Sequence, residues 1–192
     1  MNVLPELELN ILDDDVLFEL NKINHISIKR RIIRELIELK KSNAYIHLEY
    51  TERENIYRSS CSNINKTGFN FIVNITIMLK DESNIYKFEI ASDYPFRAPT
   101  KFTINYKPYI NYLKINSSKT MAELQTYTGL GCLCCNSINC ASRWCPSTNI
   151  IVCIDEFKKF MQYRRNIINR IIVEKIINKY LISDINLLEW LF

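Results

Sequence analysis

The run FNFIVNITIML, residues 69–79, sets Phe69, Phe71, Val73, Ile75 and Ile77 at every second position. A period of two is the pattern of a strand with one face buried and the other toward water, so this stretch commits the chain to a sheet with a one-sided core. A second run, IYKFEIA at 85–91, follows after the polar KDESN at 80–84, and the pair reads as a hairpin. AYIHLEYTE at 44–52 and TKFTINY at 100–106 flank it, which predicts a four-stranded antiparallel meander. Before the meander, IKRRIIRELIELKKS places Ile28, Ile32, Leu36 and Leu39 at helical spacing between charges, an amphipathic helix by period. After Trp144 the pattern is helical again, with Ser147 or Thr148 as candidate N-cap and a break expected near YRRN at 163–166, giving two C-terminal helices. The predicted class is α+β: an N-terminal helix, a four-stranded antiparallel meander, a cysteine-containing irregular segment and C-terminal helices.

With 192 residues, 47% of them hydrophobic, the chain can close one sizeable core. Residues 28–182 are read as that domain, 1–27 as an N-terminal extension that could be a short strand or helix on the core or could dock elsewhere, and 183–192 as a tail. The formal net charge of +4 is spread among acids, so nucleic acid is not expected as a partner. No apolar run approaches the roughly 18 residues of a membrane span and the N-terminus lacks a secretory pattern, so no membrane partner and a cytoplasmic or nuclear location are expected.

Five of the seven cysteines fall in GLGCLCCNSINCASRWCP, residues 129–146. In a reducing compartment such thiols stay free, which favours a nucleophile or a metal site over a disulfide. Cys132, Cys134, Cys135, Cys140 and Cys145 could supply four thiolates to zinc, but a single C-x-C-C cluster lacks the paired C-x-x-C halves of zinc ribbons, so neither a metal nor another cofactor is expected. Cys61 and Cys153 stand apart and are read as small buried hydrophobes.

RRIIRELIEL in the first helix, GFNFIVNI in the meander, DYPFRAP at 93–99, and GLGCL followed by WCP occur in the order found in the ubiquitin-conjugating enzyme family, which the chain resembles over about residues 28–162. The resemblance implies an enzyme that carries ubiquitin or a ubiquitin-like protein as a cysteine thioester, received from an activating enzyme and passed to a substrate lysine with a ubiquitin ligase. Cysteine suits that role because its thiolate is strongly nucleophilic and the thioester stays reactive toward amines. Gly129 and Leu133 mark Cys132 as the nucleophile, with Cys134 and Cys135 as alternatives because the spacer to Trp144 is longer than the family's. Ligase docking falls, by the same resemblance, to Phe96, Pro146 and the basic residues Lys29, Arg30 and Arg31, while Tyr94 and Trp144 are expected to brace the turn and the cysteine loop.

Two family features are missing. Where the family carries His-Pro-Asn, whose amide supports the oxyanion, this chain has Ala122, Glu123 and Leu124. Asn111, Asn116 or Asn136 could substitute, and His25 and His47 lie far upstream as ordinary residues. The acidic loop after the next helix is replaced by QYRRN. These departures keep two alternatives open: a catalytically silent variant that binds ubiquitin or a ligase, and a structural protein that binds zinc through its cysteines.

Overall fold

A computed structural model describes residues 9–56, 67–114, 117–130, 133–140 and 142–188. The predicted α+β class holds. Helix α1 (Asp14–Asn21) precedes α2 (Ile26–Lys41), and then come strands β1 (Tyr45–Ile56), β2 (Thr67–Met78), β3 (Ile85–Ala91), β4 (Lys101–Ile104) and β5 (Lys107–Pro108). Three short helices, α3 (Tyr109–Leu113), α4 (Ser118–Thr128) and α5 (Leu133–Asn136), lead to a long α6 (Ile150–Leu188).

The sheet is antiparallel throughout in the order β1-β2-β3-β4-β5, each strand beside its sequence neighbour. Alternation drives it: Val73, Ile75 and Ile77 are fully buried, and across the register Ile90, Phe88 and Tyr86 point to the same side. Phe88 stacks on Phe102 of β4 at 4.3 Å between ring centroids. Against this face lie Ile32 and Leu36 of α2 and Ile150, Cys153, Ile154 and Phe157 of α6, in one continuous core. Truncating one of these large side chains to alanine costs about 2–5 kcal/mol.

Three expectations need correcting. The sheet has five strands, because Asn105 and Tyr106 take positive φ of 49° and 65° and turn the chain back for two residues of pairing. Asn105 tolerates that conformation well, and its side-chain oxygen accepts the Ile85 N–H at 2.8 Å. The expected break near residues 163–166 is absent, and α6 runs through it unbroken. Gln, Tyr and Arg are compatible with helix interior, and no glycine or proline interrupts them. The helix also starts later than Ser147 or Thr148: Asn149 holds its N-terminus, accepting the Val152 N–H at 2.8 Å on its side-chain oxygen.

Part of the front segment joins the body of the protein. Val16 and Leu20 of α1 are buried with Leu12 and Ile23, and the Glu19 carboxylate accepts the Tyr50 backbone N–H of β1 at 2.9 Å.

Candidate functional site

The turn at Asp93–Pro99, the start of α6 and the middle of α2 converge on one carboxylate. Glu35 lies on the apolar side of α2, between Ile32 and Leu39, and is 2% exposed. It accepts from the Tyr94 hydroxyl at 2.7 and 2.8 Å, from the Ile150 backbone N–H at 3.0 Å, and from Arg31 Nε one helical turn away. A buried carboxylate is tolerated only when its lone pairs are met, and here each oxygen has partners. Burial still prevails, pushing the Glu35 carboxyl above its ordinary value, and burial with the Glu35 charge pushes Tyr94 far up. Arg31 continues the network, donating through Nη2 to the carbonyls of Thr148 at 2.9 Å and Ser147 at 3.4 Å. Trp144 donates its indole N–H to the Pro95 carbonyl at 2.7 Å and sets its ring 6.1 Å from that of Tyr94. The peptide bond between Tyr94 and Pro95 is cis.

These ties hold three distant segments as one surface. Phe96 follows directly on Pro95 and is 78% exposed, and Pro146 is exposed two residues after Trp144. Of the basic residues, Arg31 is half-buried in the network, Lys29 donates to Asn21 at 2.8 Å, and Arg30 is exposed.

A second carboxylate fastens the cysteine segment. Glu156 of α6 accepts from the Tyr109 hydroxyl at 2.7 Å, the Ser137 hydroxyl at 2.8 Å, the Ile138 backbone N–H at 2.8 Å and the Asn139 amide at 3.4 Å. The Cys153 thiol donates to the Asn139 side-chain oxygen at 3.3 Å, and burial pushes that thiol far above its ordinary value. Beneath the segment lies a cavity of about 500 Å³, walled by Phe102, Tyr109 and Leu113 on one side and by Cys134, Cys135 and Cys140 on the other. The sulfurs of Cys134 and Cys135 stand 3.8 Å apart. Among the described residues, no three Cys, His, Asp or Glu side chains come together as a metal site.

The candidate nucleophile Cys132 lies outside the described residues, as do Cys61 and Asn116. Its flanks are described. Gly129 ends α4 in the left-handed conformation at φ 69°, with its N–H on the Gln125 carbonyl at 2.7 Å, and Leu133 is buried. The alternatives sit in α5, Cys134 half-buried and Cys135 exposed. Cys145 is exposed beside Pro146, and hydrogen bonds from the Ser147 hydroxyl and backbone N–H hold its thiol below the ordinary value.

Ala122, Glu123 and Leu124, in the place of His-Pro-Asn, are part of α4, capped by the Ser117 hydroxyl on the Thr120 N–H. Asn111 is exposed on α3, and Asn136 half-buried on α5. His25 and His47 are exposed, the latter beside Glu49 at 3.2 Å.

Sequence reasoning missed Glu35, Glu156 and Asn139. For Glu35 there was a signal, since an acid on the apolar stripe of an amphipathic helix needs buried partners. Glu156 and Asn139 carry no such mark.

No protein-family model, curated protein or solved structure matches the chain. No helix among the described residues is long and apolar enough to cross a membrane.

Proposed function

We propose that the chain is a conjugating enzyme of the ubiquitin type, with the fold of that family, holding ubiquitin or a ubiquitin-like protein as a thioester on Cys132 and delivering it with a ligase. The reading is supported above all by the Trp144–Pro95 hydrogen bond, which joins the YPF turn to the WCP segment and leaves Phe96 and Pro146 exposed on linked loops. The Arg31 contacts bring the basic helix to the same place. In the reaction the Cys132 thiolate attacks the thioester carbonyl of the loaded activating enzyme and expels that enzyme's thiolate. A lysine amine of the substrate later displaces the Cys132 thiolate, forming an amide. Positioning carries such a transfer further than a strong base does.

A second reading, the catalytically silent variant, is favoured by one observation: the residues standing for His-Pro-Asn, Ala122, Glu123 and Leu124, lie in a regular helix and carry no amide side chain. One experiment separates the two. Incubation with activating enzyme, ATP and ubiquitin is expected to give a reductant-sensitive adduct that Cys132→Ala abolishes and that Cys134→Ala and Cys135→Ala retain. Loss through either neighbour with retention in Cys132→Ala would move the nucleophile to that neighbour. No adduct with the unmodified chain would hand the function to the silent reading.

A further inference from the structure

Helix α6 continues past the stretch of it that packs on the core. Among the described side chains its last buried one is Ile167, with Ile171 partly packed on the core. From Ile172 to Tyr180 no side chain is buried among the described residues, and only Glu174 is half-covered. Ile172, Val173, Ile176 and Ile177 are 48, 52, 50 and 45% exposed. At about 100° per residue these four share an arc of about 140°. Glu174, Lys175, Asn178 and Lys179 fill the opposite side, so that Lys175 and Lys179 border one edge of the apolar arc and Arg170 borders the other. Free-standing helix of this length is marginal in water, and a face this apolar calls for a cover.

Charge identifies the cover. Residues 164–180 carry Arg164, Arg165, Arg170, Lys175 and Lys179 against Glu174, a net charge equal to the +4 of the whole chain, so the rest of the molecule is balanced. The only acids beyond Tyr180 are Asp184 and Glu189. Pairing with a second copy, parallel or antiparallel, would set cation-bordered edges against each other. Nucleic acid would meet the charges but give the isoleucines nothing apolar. We propose that this arm of α6 lies on an anionic lipid surface, its four aliphatic side chains in the acyl boundary and Lys175 and Lys179 reaching out to the headgroups. The sequence beyond it contains Trp190 and Phe192, types that favour the same boundary. That no helix among the described residues is long and apolar enough to cross a membrane does not bear on this, because an interfacial helix lies in the plane of the bilayer.

The full chain tests the assignment by co-sedimentation with vesicles of phosphatidylserine and phosphatidylcholine, against vesicles of phosphatidylcholine alone. Binding to the anionic vesicles is expected, weakened at least about tenfold without phosphatidylserine. Ile172→Gln with Ile176→Gln, and separately Lys175→Glu with Lys179→Glu, are each expected to lower it at least about tenfold at unchanged Tm. Should the isoleucine pair alter the Tm, the lysine pair alone decides. The proposal is overturned if the unaltered chain stays in solution or if the lysine pair binds as well as the parent. It is equally overturned by a concentration-dependent dimer that the isoleucine pair dissolves without vesicle binding, which gives the face to a second copy. Retention by soluble polyglutamate as tight as by vesicles gives it to an acidic protein instead.

Discussion

The Tyr94 hydroxyl donates across both oxygens of the Glu35 carboxylate, at 2.7 and 2.8 Å, joining residues 59 apart in sequence. Glu35 also takes the first N–H of α6, so one carboxylate fixes the turn, the helix start and α2 together.

Burial raises the Glu35 carboxyl above its ordinary 4.5, and the sign of the pH effect follows. The unfolded chain ionises first as pH rises, so between the two values the folded state binds more protons and stability falls with rising pH. Glu35→Gln abolishes this titration while losing hydrogen bonds worth about 1–3 kcal/mol. Urea denaturation at a series of pH values should show the variant least stable relative to its parent below 4.5 and the gap narrowing above it. A gap that widens with pH would refute the raised value.

Phe96 is exposed, so its removal should leave the fold intact. Phe96→Ala is expected to slow ligase-stimulated discharge several-fold and to spare thioester loading. Trp144→Phe keeps the ring but loses the bond to the Pro95 carbonyl, and is expected to do the same at a stability cost of about 1 kcal/mol. Single-turnover loading and discharge assays separate the two steps, and equal loss in both would remove Phe96 from the docking surface.

The cysteine segment is fastened by the Glu156 carboxylate. Four donors meet on Glu156, and Glu156→Gln is expected to destabilise the chain by about 1–3 kcal/mol and to speed labelling of Cys134 and Cys135 by a thiol reagent. A chelator is expected to leave the Tm unchanged. A lowered Tm together with about one zinc per chain by elemental analysis would overturn this.

Cys145 and Cys153 should report opposite thiol chemistry. Cys145 is exposed with its thiolate favoured by Ser147, whereas Cys153 is buried and held neutral. A short iodoacetamide pulse read by peptide mass spectrometry should label Cys145 and leave Cys153 intact, and Ser147→Ala should slow the Cys145 reaction. Labelling of both at one rate would contradict the arrangement.

The α2 helix, the β2–β3 hairpin and the bounds of β3 were legible because side-chain period carries them, and packing merely executes the pattern. Strand β5 was not, since two residues, Lys107 and Pro108, cannot display a period. The helices α3, α4 and α5 were hidden inside a segment read as irregular, where Pro108, Gly129 and the cysteines dominate the eye, although Ser117 and Gly129 are an ordinary N-cap and C-cap for α4. The break expected in α6 rested on the length of the helical run alone, and the sequence there has no glycine or proline to interrupt it. At the candidate site, motif pointed to Phe96, Pro146 and Trp144 but not to Glu35, which ties Tyr94 of the turn to the start of α6. The Glu35 partners Tyr94 and Ile150 are 59 and 115 residues away, and no local pattern records a contact of that span.

The sheet is built wholly from neighbours, and within it no pairing reaches farther along the chain than Tyr45 to Met78. The Glu35–Ile150 bond, by contrast, closes a loop of 115 residues, whose greater entropy must be met before the contact stabilises anything. Assembly order is thereby written into the topology: the meander can form from short-range encounters, and the long helix must be captured at its first residue afterward. In a refolding time course followed by pulsed hydrogen exchange, the β2–β3 amides should gain protection before the amide of Ile150 does.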